Sequence, residues 1–186
     1  MKEALERLNA LSADEAEPEL LKCCGSTLWA RRMSDARPFH DLKGLLSSAD
    51  SIWWALDEED WLEAFSRHPK IGEKEAERAQ AKAAKEWSTQ EQSGADAATE
   101  DVRRELAAAN REYESKFGYI YIICATGKTA AEMLSILKTR LQNEPDVEIR
   151  VAAEEQRRIT RLRLQKLLGA DSKSENSHRA TEPQRE

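Results

Sequence analysis

Histidine is scarce in this sequence, which contains only three. His68 precedes Pro69 at the end of a helical pattern, whereas His40 follows an extended stretch and His178 lies in a polar tail. An imidazole with a pKa of about 6.5 can exchange protons at neutral pH. At a helix end it can project into a cleft, or it can simply stabilise the carboxyl end of the helix by its charge. His68 is therefore the first candidate acid/base, with a structural role as the alternative.

Two other places have side chains suited to a polar ligand. Ser88-Thr89-Gln90-Glu91 has the spacing of a capping box, which predicts a helix start and needs no further function. The free N–H groups of such a start can also bind a small polar ligand. Arg163 lies between the apolar Leu162 and Leu164, so we expect a half-buried guanidinium that needs an anion. That anion can be a carboxylate of the protein or a ligand.

Nucleotide and metal sites are not expected. The run Ala125-Thr126-Gly127-Lys128-Thr129 resembles the end of a phosphate-binding loop, but Ile122 stands where that loop needs glycine. Cys23, Cys24 and Cys124 are an odd number of cysteines without metal-ligand spacing. Reduced thiols in a cytosolic compartment are the simplest interpretation.

Composition excludes several classes of protein. Hydrophobic residues make up 40% and charged residues 34% of the chain, and the net charge of −6 argues against a nucleic-acid partner. No apolar run approaches the roughly 18 residues of a membrane span. The first residues lack the apolar core of a secretory signal, and the last three lack a peroxisomal signal. We therefore expect a soluble protein of the cytoplasm.

Helical periodicity extends over most of the chain, which has only 7 Gly and 5 Pro. It predicts an all-α, single compact domain of about eight helices over residues 1–168, followed by a disordered polar tail over 169–186. Ser12 and Glu15 form a capping box, but Pro18 is expected to delay that helix to about residue 18. The other expected helices are 2–11, a short helix after Ser26, two helices from Asp41 and Asp57, 73–87, 99–117, 129–143 and 145–168.

One segment, residues 119–125, is β-branched and apolar like a strand. No second strand is available to pair with it, and an isolated strand is not stable. We therefore expect a buried connector or the end of a helix.

Several short motifs, taken together and in order, are similar to those of one family. They are Cys23-Cys24-Gly25-Ser26 with Trp29 and Met33, Arg37-Pro38-Phe39, His68-Pro69-Lys70-Ile71-Gly72, Ser88-Thr89-Gln90-Glu91-Gln92, Asn110-Arg111-Glu112-Tyr113 with Lys116-Phe117-Gly118, Ile123-Cys124-Ala125, and Glu155-Gln156 with Ile159 and Leu162-Arg163-Leu164. The set resembles the 2-oxo-4-hydroxy-4-carboxy-5-ureidoimidazoline (OHCU) decarboxylase family over about residues 1–168. Two departures are Tyr121, which replaces an expected Phe and is expected to add a hydroxyl near the pocket, and Pro18.

The resemblance implies an all-helical, usually dimeric enzyme that converts OHCU to (S)-allantoin and CO2 in urate degradation. It implies that His68 is catalytic and that Glu91 is a charged partner of the site; we hypothesise that Glu91 fixes the tautomer and charge of His68. The implied substrate contacts are Pro69, Ser88, Thr89, Gln90, Gln92, Tyr121, Ile122, Ile123, Cys124, Ala125 and Arg163.

No cofactor is implied, because the substrate can accept its own electrons. Loss of CO2 leaves an electron pair on the ring, and the adjacent C=N system can take it up without a metal, pyridoxal or thiamine. Two alternatives stay open. One is an inactive helical module that binds a protein partner, which the presence of His68, Glu91 and Arg163 disfavours. The other is a decarboxylase or hydrolase that acts on another ureido or hydantoin-like ring.

Overall fold

The computed structural model describes residues 1–70 and 100–169, and these two ranges contain eight α-helices and no strand. The prediction of an all-α fold with about eight helices is confirmed. The expected helix at 73–87, the Ser88–Glu91 capping box and the polar tail from 170 lie outside the described residues. In chain order the helices are α1 (Lys2–Ala10), α2 (Ala13–Cys24), α3 (Thr27–Asp35), α4 (Leu42–Trp54), α5 (Glu58–Ser66), α6 (Glu100–Phe117), α7 (Ala130–Arg140) and α8 (Pro145–Leu167).

Helix α2 begins at Ala13, so the expectation that Pro18 delays it to about residue 18 is wrong. The Glu15 carboxylate accepts hydrogen bonds from the backbone N–H (3.0 Å) and hydroxyl (2.8 Å) of Ser12, which confirms the predicted capping pair. Pro18 and Asp14 both lie on the exposed face of the helix. The Asp14 carbonyl that loses a helical partner to Pro18 is therefore open to water, and the helix tolerates the proline.

The larger of two hydrophobic cores is enclosed by α1–α5 and α8. Three tryptophans cross it and are each held by a hydrogen bond from the indole N–H to a backbone carbonyl. Trp29 donates to Ala49 at 3.1 Å, Trp53 to Ala153 at 2.9 Å, and Trp61 to Trp53 at 3.0 Å. The Trp53 bond links α4 directly to α8, the helix that carries Gln156 and Arg163.

The turn between α2 and α3 packs closely against the end of α5. Gly25 has a φ of 91°, and a Cβ there would lie 3.2 Å from the Ala64 carbonyl and from the Arg67 side chain. Both the conformation and the close approach require glycine. Gly25 therefore lets the carboxyl ends of α2 and α5 meet, and Cys24 and His68 both contact Gln156 of α8.

The smaller core lies between α6 and α7, and residues 119–125, the connector, run between the two cores. Ile120 and Ile122 pack on the larger core, whereas Tyr121 and Ile123 pack on the smaller one. This alternation explains the strand-like sequence, because an extended chain presents successive side chains to opposite sides. The expectation of a buried connector is confirmed, and the alternative of a helix end is wrong.

Within residues 1–70 and 100–169, no helix is long and apolar enough to cross a lipid bilayer.

Candidate active site

His68 lies just after α5 and reaches the buried face of α8. Its backbone N–H bonds to the Phe65 carbonyl at 3.1 Å, so the chain turns sharply before Pro69. Its Nε2 lies 2.7 Å from Oε1 of Gln156. Two residues later, Lys70 forms a 2.7 Å ion pair with Glu114 of α6. The His-Pro-Lys segment is thus attached to α8 on one side and α6 on the other.

Gln156 is fully buried and makes three polar contacts. Its Nε2 donates to the Cys24 carbonyl at 3.1 Å and to the Thr160 hydroxyl at 3.2 Å, and its Oε1 faces His68. A backbone carbonyl can only accept a hydrogen bond, so the amide nitrogen must face Cys24. Each polar atom of this buried amide therefore has a partner.

Burial in this position lowers the pKa of His68 from 6.5 to about 4. The positive charge of Arg163 lowers it further, whereas the hydrogen bond to Gln156 opposes both effects. The imidazole is consequently neutral at physiological pH, so the alternative in which His68 acts as a cation at the helix end is disfavoured. A neutral ring can accept a proton.

Arg163 is half-buried on α8, as the sequence predicted. Its Nη1 lies 3.5 Å from the Lys22 carbonyl, at the limit of a hydrogen bond. None of the ion pairs formed within the described ranges includes Arg163. The anion that this guanidinium needs is therefore either a residue outside those ranges or a ligand.

The cysteines near the site are free and buried, in agreement with the expected reduced thiols. Burial raises the pKa of Cys23 and of Cys24 to about 12, and it also raises that of Cys124. Their thiols are neutral at physiological pH and are poor nucleophiles.

A buried ionic cluster, made of Tyr113, Arg140, Asn143 and Glu148, supports the connector from behind. Arg140 donates through Nε (2.8 Å) and Nη2 (2.5 Å) to Glu148, which also accepts from Asn143 at 2.7 Å and from the Tyr113 hydroxyl. The remaining guanidinium nitrogen, Nη1, donates to the Ile122 carbonyl at 2.7 Å. The ionic cluster therefore fixes the backbone of the connector at Ile122.

Side chains also provide hydrogen-bond partners for the connector backbone at Cys124. Its N–H donates to Glu155 of α8 at 2.8 Å, and its carbonyl accepts from Lys128 at 2.8 Å. These contacts replace the ladder that a neighbouring strand would supply. The backbone of Ile123, by contrast, makes no hydrogen bond to any described residue. Of the predicted contacts on this segment, Tyr121 and Ile123 are the two whose backbone N–H and carbonyl make no hydrogen bond to a described residue, so both are available to a ligand.

Tyr121 directs its side chain into the smaller core. Its hydroxyl donates to the Met133 carbonyl of α7 at 3.3 Å, and the Arg140 guanidinium lies 4.7 Å from its ring centroid. The hydroxyl that distinguishes this chain from the expected Phe thus has a structural partner.

The sequence-predicted site residues fall into two groups. The structure describes His68, Pro69, Arg163 and the connector. Arg163 lies on α8, and its charge lowers the pKa of the His68 imidazole. Ser88, Thr89, Gln90, Glu91 and Gln92 lie outside the described residues. Glu155 and Gln156 belong to the motifs that carry the family resemblance, but the sequence did not predict a role for either residue. The sequence does show that Gln156 shares a largely apolar stripe of α8 with Ala152, Ala153, Thr160 and Leu164, which indicates burial.

A surface groove also runs along the outward face of α8. None of the residues that line this groove was predicted to belong to the active site, so the groove does not identify the position of the active site. They are Asp146, Val147, Arg150, Val151, Glu154, Glu155 and Arg158.

Comparison with known proteins identifies relatives over most of the chain. The family model for OHCU decarboxylase matches residues 9–165. The uric acid degradation bifunctional protein TTL of Arabidopsis thaliana is 41% identical over 182 residues, which are 94% of this chain and 56% of that protein. The uric acid degradation bifunctional protein of Bacillus sp. (strain TB-90) is 28% identical over 88% of this chain and 32% of its own length.

The chain thus spans about half the length of the Arabidopsis relative and about a third of the Bacillus one. A crystal structure of OHCU decarboxylase in the presence of (S)-allantoin is 42% identical and has a TM-score of 0.69. That match covers 81% of this chain and 97% of the other. Sequence and fold agree, and the chain belongs to the OHCU decarboxylase family.

Proposed function

We propose that this protein decarboxylates OHCU to (S)-allantoin and CO2 in urate degradation, with His68 as the acid/base. Family membership supports the reaction class. The observation that carries the assignment to His68 is its state: a half-buried imidazole, neutral at physiological pH, held at one nitrogen by a buried amide. The neutral ring is in the protonation state that a general base requires.

The proposed reaction moves one proton from oxygen to carbon and takes up one further proton from water. When the bond to the carboxylate breaks, CO2 departs and its electron pair moves into the ring towards the adjacent C=N group, whose nitrogen takes up the proton from water. The 4-hydroxyl then loses its proton and becomes a carbonyl, while the neighbouring ring carbon is protonated on one face. His68 accepts the hydroxyl proton in this scheme, and the fixed orientation of the ring determines the (S) product.

The other predicted residues have binding roles in the proposal. Arg163 binds a carboxylate or ring carbonyl of the substrate, because no anion of the described residues pairs with it. The backbone of Ile123 and the Ser88–Gln92 segment orient the ring, with Pro69 beside it. Glu91 is the charged partner of the site.

The test follows OHCU, formed in place from urate by the two preceding enzymes, by circular dichroism with and without this protein. Rapid growth of the (S)-allantoin signal is expected. His68→Ala should reduce the rate on the order of 100–10,000-fold. His40→Ala is the matched control, because His40 is an exposed histidine to which the proposal gives no role.

Two outcomes would contradict the proposal. A near-normal rate for His68→Ala would remove His68 from the mechanism. Optically silent decay at the protein-free rate would show that OHCU is not the substrate, and ureido and hydantoin-like analogues would then be compared.

The proposal extends to assembly and location. Residues 1–168 form the catalytic domain, and the resemblance supports a homodimer, so light scattering should give about twice the chain mass of 21.1 kDa; a mass near that of one chain would contradict it. The buried free thiols favour a reducing compartment, the cytoplasm. Imaging of the tagged protein tests this.

A further inference from the structure

We infer that Gln156 is a positioning residue that holds His68 in the tautomer with hydrogen on Nε2, so that Nδ1 is the nitrogen that exchanges protons with the substrate. The inference deepens the proposed function and rests on it for the catalytic consequence. The tautomer itself can be tested without any substrate.

Cys24, Gln156 and His68 form a series of hydrogen bonds, and the Cys24 carbonyl determines the direction of each bond in it. The Cys24 carbonyl can only accept, so it receives a hydrogen from the Gln156 amide nitrogen at 3.1 Å. The second amide hydrogen goes to the Thr160 hydroxyl at 3.2 Å. The amide oxygen therefore faces His68 at 2.7 Å, and because that oxygen also can only accept, Nε2 must carry the hydrogen.

The reversed amide is disfavoured at both ends. It would place the amide oxygen against the Cys24 carbonyl oxygen, two acceptors at a distance that requires a donor. The buried Cys24 carbonyl would also lose this donor in a region closed to water. Gln156 is fully buried on the stripe of α8, so the packing around it holds the side chain in place.

A neutral imidazole with hydrogen on Nε2 has its lone pair on Nδ1. Within the described ranges, Nδ1 of His68 has no hydrogen-bond partner. Because Gln156 is uncharged, it orients the ring without the strong attraction for an imidazolium that a carboxylate would exert. The ring consequently returns to its neutral form after each proton transfer.

One face of α8 carries both this positioning group and the candidate anion-binding group. Gln156, Thr160 and Arg163 are spaced by four and three residues, which places them on the same side of the helix. Gln156 occupies the Nε2 side of the imidazole, which leaves the Nδ1 side to the substrate. The Nε2 hydrogen bond that orients His68 therefore comes from Gln156.

The first test is NMR of the protein labelled with 15N in its histidines, at pH 7 and without substrate. Long-range proton–nitrogen correlations should show His68 with a protonated Nε2 and an unprotonated Nδ1. His68→Gln assigns the resonances. A ring protonated at Nδ1, alone or together with Nε2, would overturn the inference whether or not OHCU is the substrate.

The second test compares three variants of α8 in the decarboxylation assay. Gln156→Leu removes the acceptor, and kcat should fall on the order of 10–100-fold with little change in KM, as for other groups that fix a histidine tautomer. Gln156→Glu keeps an acceptor but adds charge, so the acidic limb of the kcat/KM profile should move to higher pH. Gln165→Leu, half-buried on the same helix, should behave as the unmodified protein.

An unchanged kcat, pH profile and tautomer in Gln156→Leu would overturn the positioning role. Should that variant fail to fold, Gln156→Glu decides: an unshifted acidic limb contradicts the inference. If the unmodified protein fails to turn over OHCU, the proposed function is lost, and the NMR result alone decides the tautomer.

Discussion

Two buried polar clusters lie on the same helix, α8, eight residues apart in sequence, and they differ in charge and in completeness. In the ionic cluster around Glu148, all three guanidinium nitrogens of Arg140 and both carboxylate oxygens have partners. The cluster around Gln156 contains no formal charge, and it leaves Nδ1 of His68 without a partner among the described residues.

The difference separates a structural use of buried polarity from a functional one. A buried charge is destabilising unless it is fully paired, so the ionic cluster must be closed, and a closed cluster has no atom left for a ligand. The cluster around Gln156 holds the His68 imidazole in its neutral form, and Nδ1 of that ring remains able to accept a proton. The first fixes the connector at Ile122, and the second orients His68, the proposed base.

The largest expected effect comes from opening the ionic cluster. Glu148→Ala leaves the Arg140 charge buried and unpaired, and the free energy of unfolding should fall by about 3–5 kcal/mol. Urea denaturation measures this. Glu154→Ala is the matched control: Glu154 lies on the same helix and pairs with Arg157 and Arg158, but it is partly exposed, so its loss should cost about 1 kcal/mol or less. Equal losses for both variants would contradict the structural role.

The cluster around Gln156 should instead affect how the free energy of unfolding depends on pH. The folded pKa of His68, about 4, lies below its unfolded value of 6.5, so the unfolded chain binds more protons between these values. This contribution is fully present above pH 6.5 and is lost as the pH falls to about 4. His68→Gln keeps an N–H donor for Gln156 but does not titrate. The unmodified protein should lose about 3 kcal/mol more than this variant between pH 7 and 4. Parallel denaturation curves would contradict the low pKa.

Local patterns were sufficient to predict most helices and the location of His68. The capping pair of Ser12 and Glu15 depends on residues three apart, and helical periodicity depends on residues a few positions apart. Pro18 was misjudged because its tolerance depends on which helix face meets solvent. That is a tertiary property.

The polar clusters could not be predicted, because they depend on which helices pack together. His68 and Gln156 are separated by 88 positions, and Gln156 and Cys24 by 132. A glutamine on an apolar stripe indicates a buried partner, but the sequence does not say which one. The Ile123 backbone is a proposed ligand contact that rests on family resemblance, and the structure adds that the neighbouring Ile122 and Cys124 backbones are already hydrogen-bonded.

Substitution of Arg163 tests whether this half-buried cation, which pairs with no anion of the described residues, acts together with the cluster around Gln156 and His68 in the proposed reaction. Arg163→Met keeps the apolar stem, and KM for OHCU should rise about 10–100-fold, since a charge-assisted hydrogen bond contributes about 1.5–3 kcal/mol. Stability should change little, because no described ion pair is lost. Arg161→Met is the control, as Arg161 pairs with Asp50 instead. A destabilised Arg163→Met protein with unchanged KM would assign Arg163 to the structure.

The smallest effect is expected at Tyr121, which lies against the ionic cluster although the sequence suggested a hydroxyl near the pocket. Its hydroxyl bonds to the Met133 carbonyl inside the smaller core, so Tyr121→Phe should lower the free energy of unfolding by about 1 kcal/mol or less. Turnover of OHCU should be unchanged, because the hydroxyl is bonded to Met133 in the smaller core, whereas His68 contacts Gln156 of α8. Urea denaturation and the circular dichroism assay measure both quantities on one preparation. A tenfold change in kcat or KM would place the hydroxyl at the substrate and would break the division between a structural and a functional cluster.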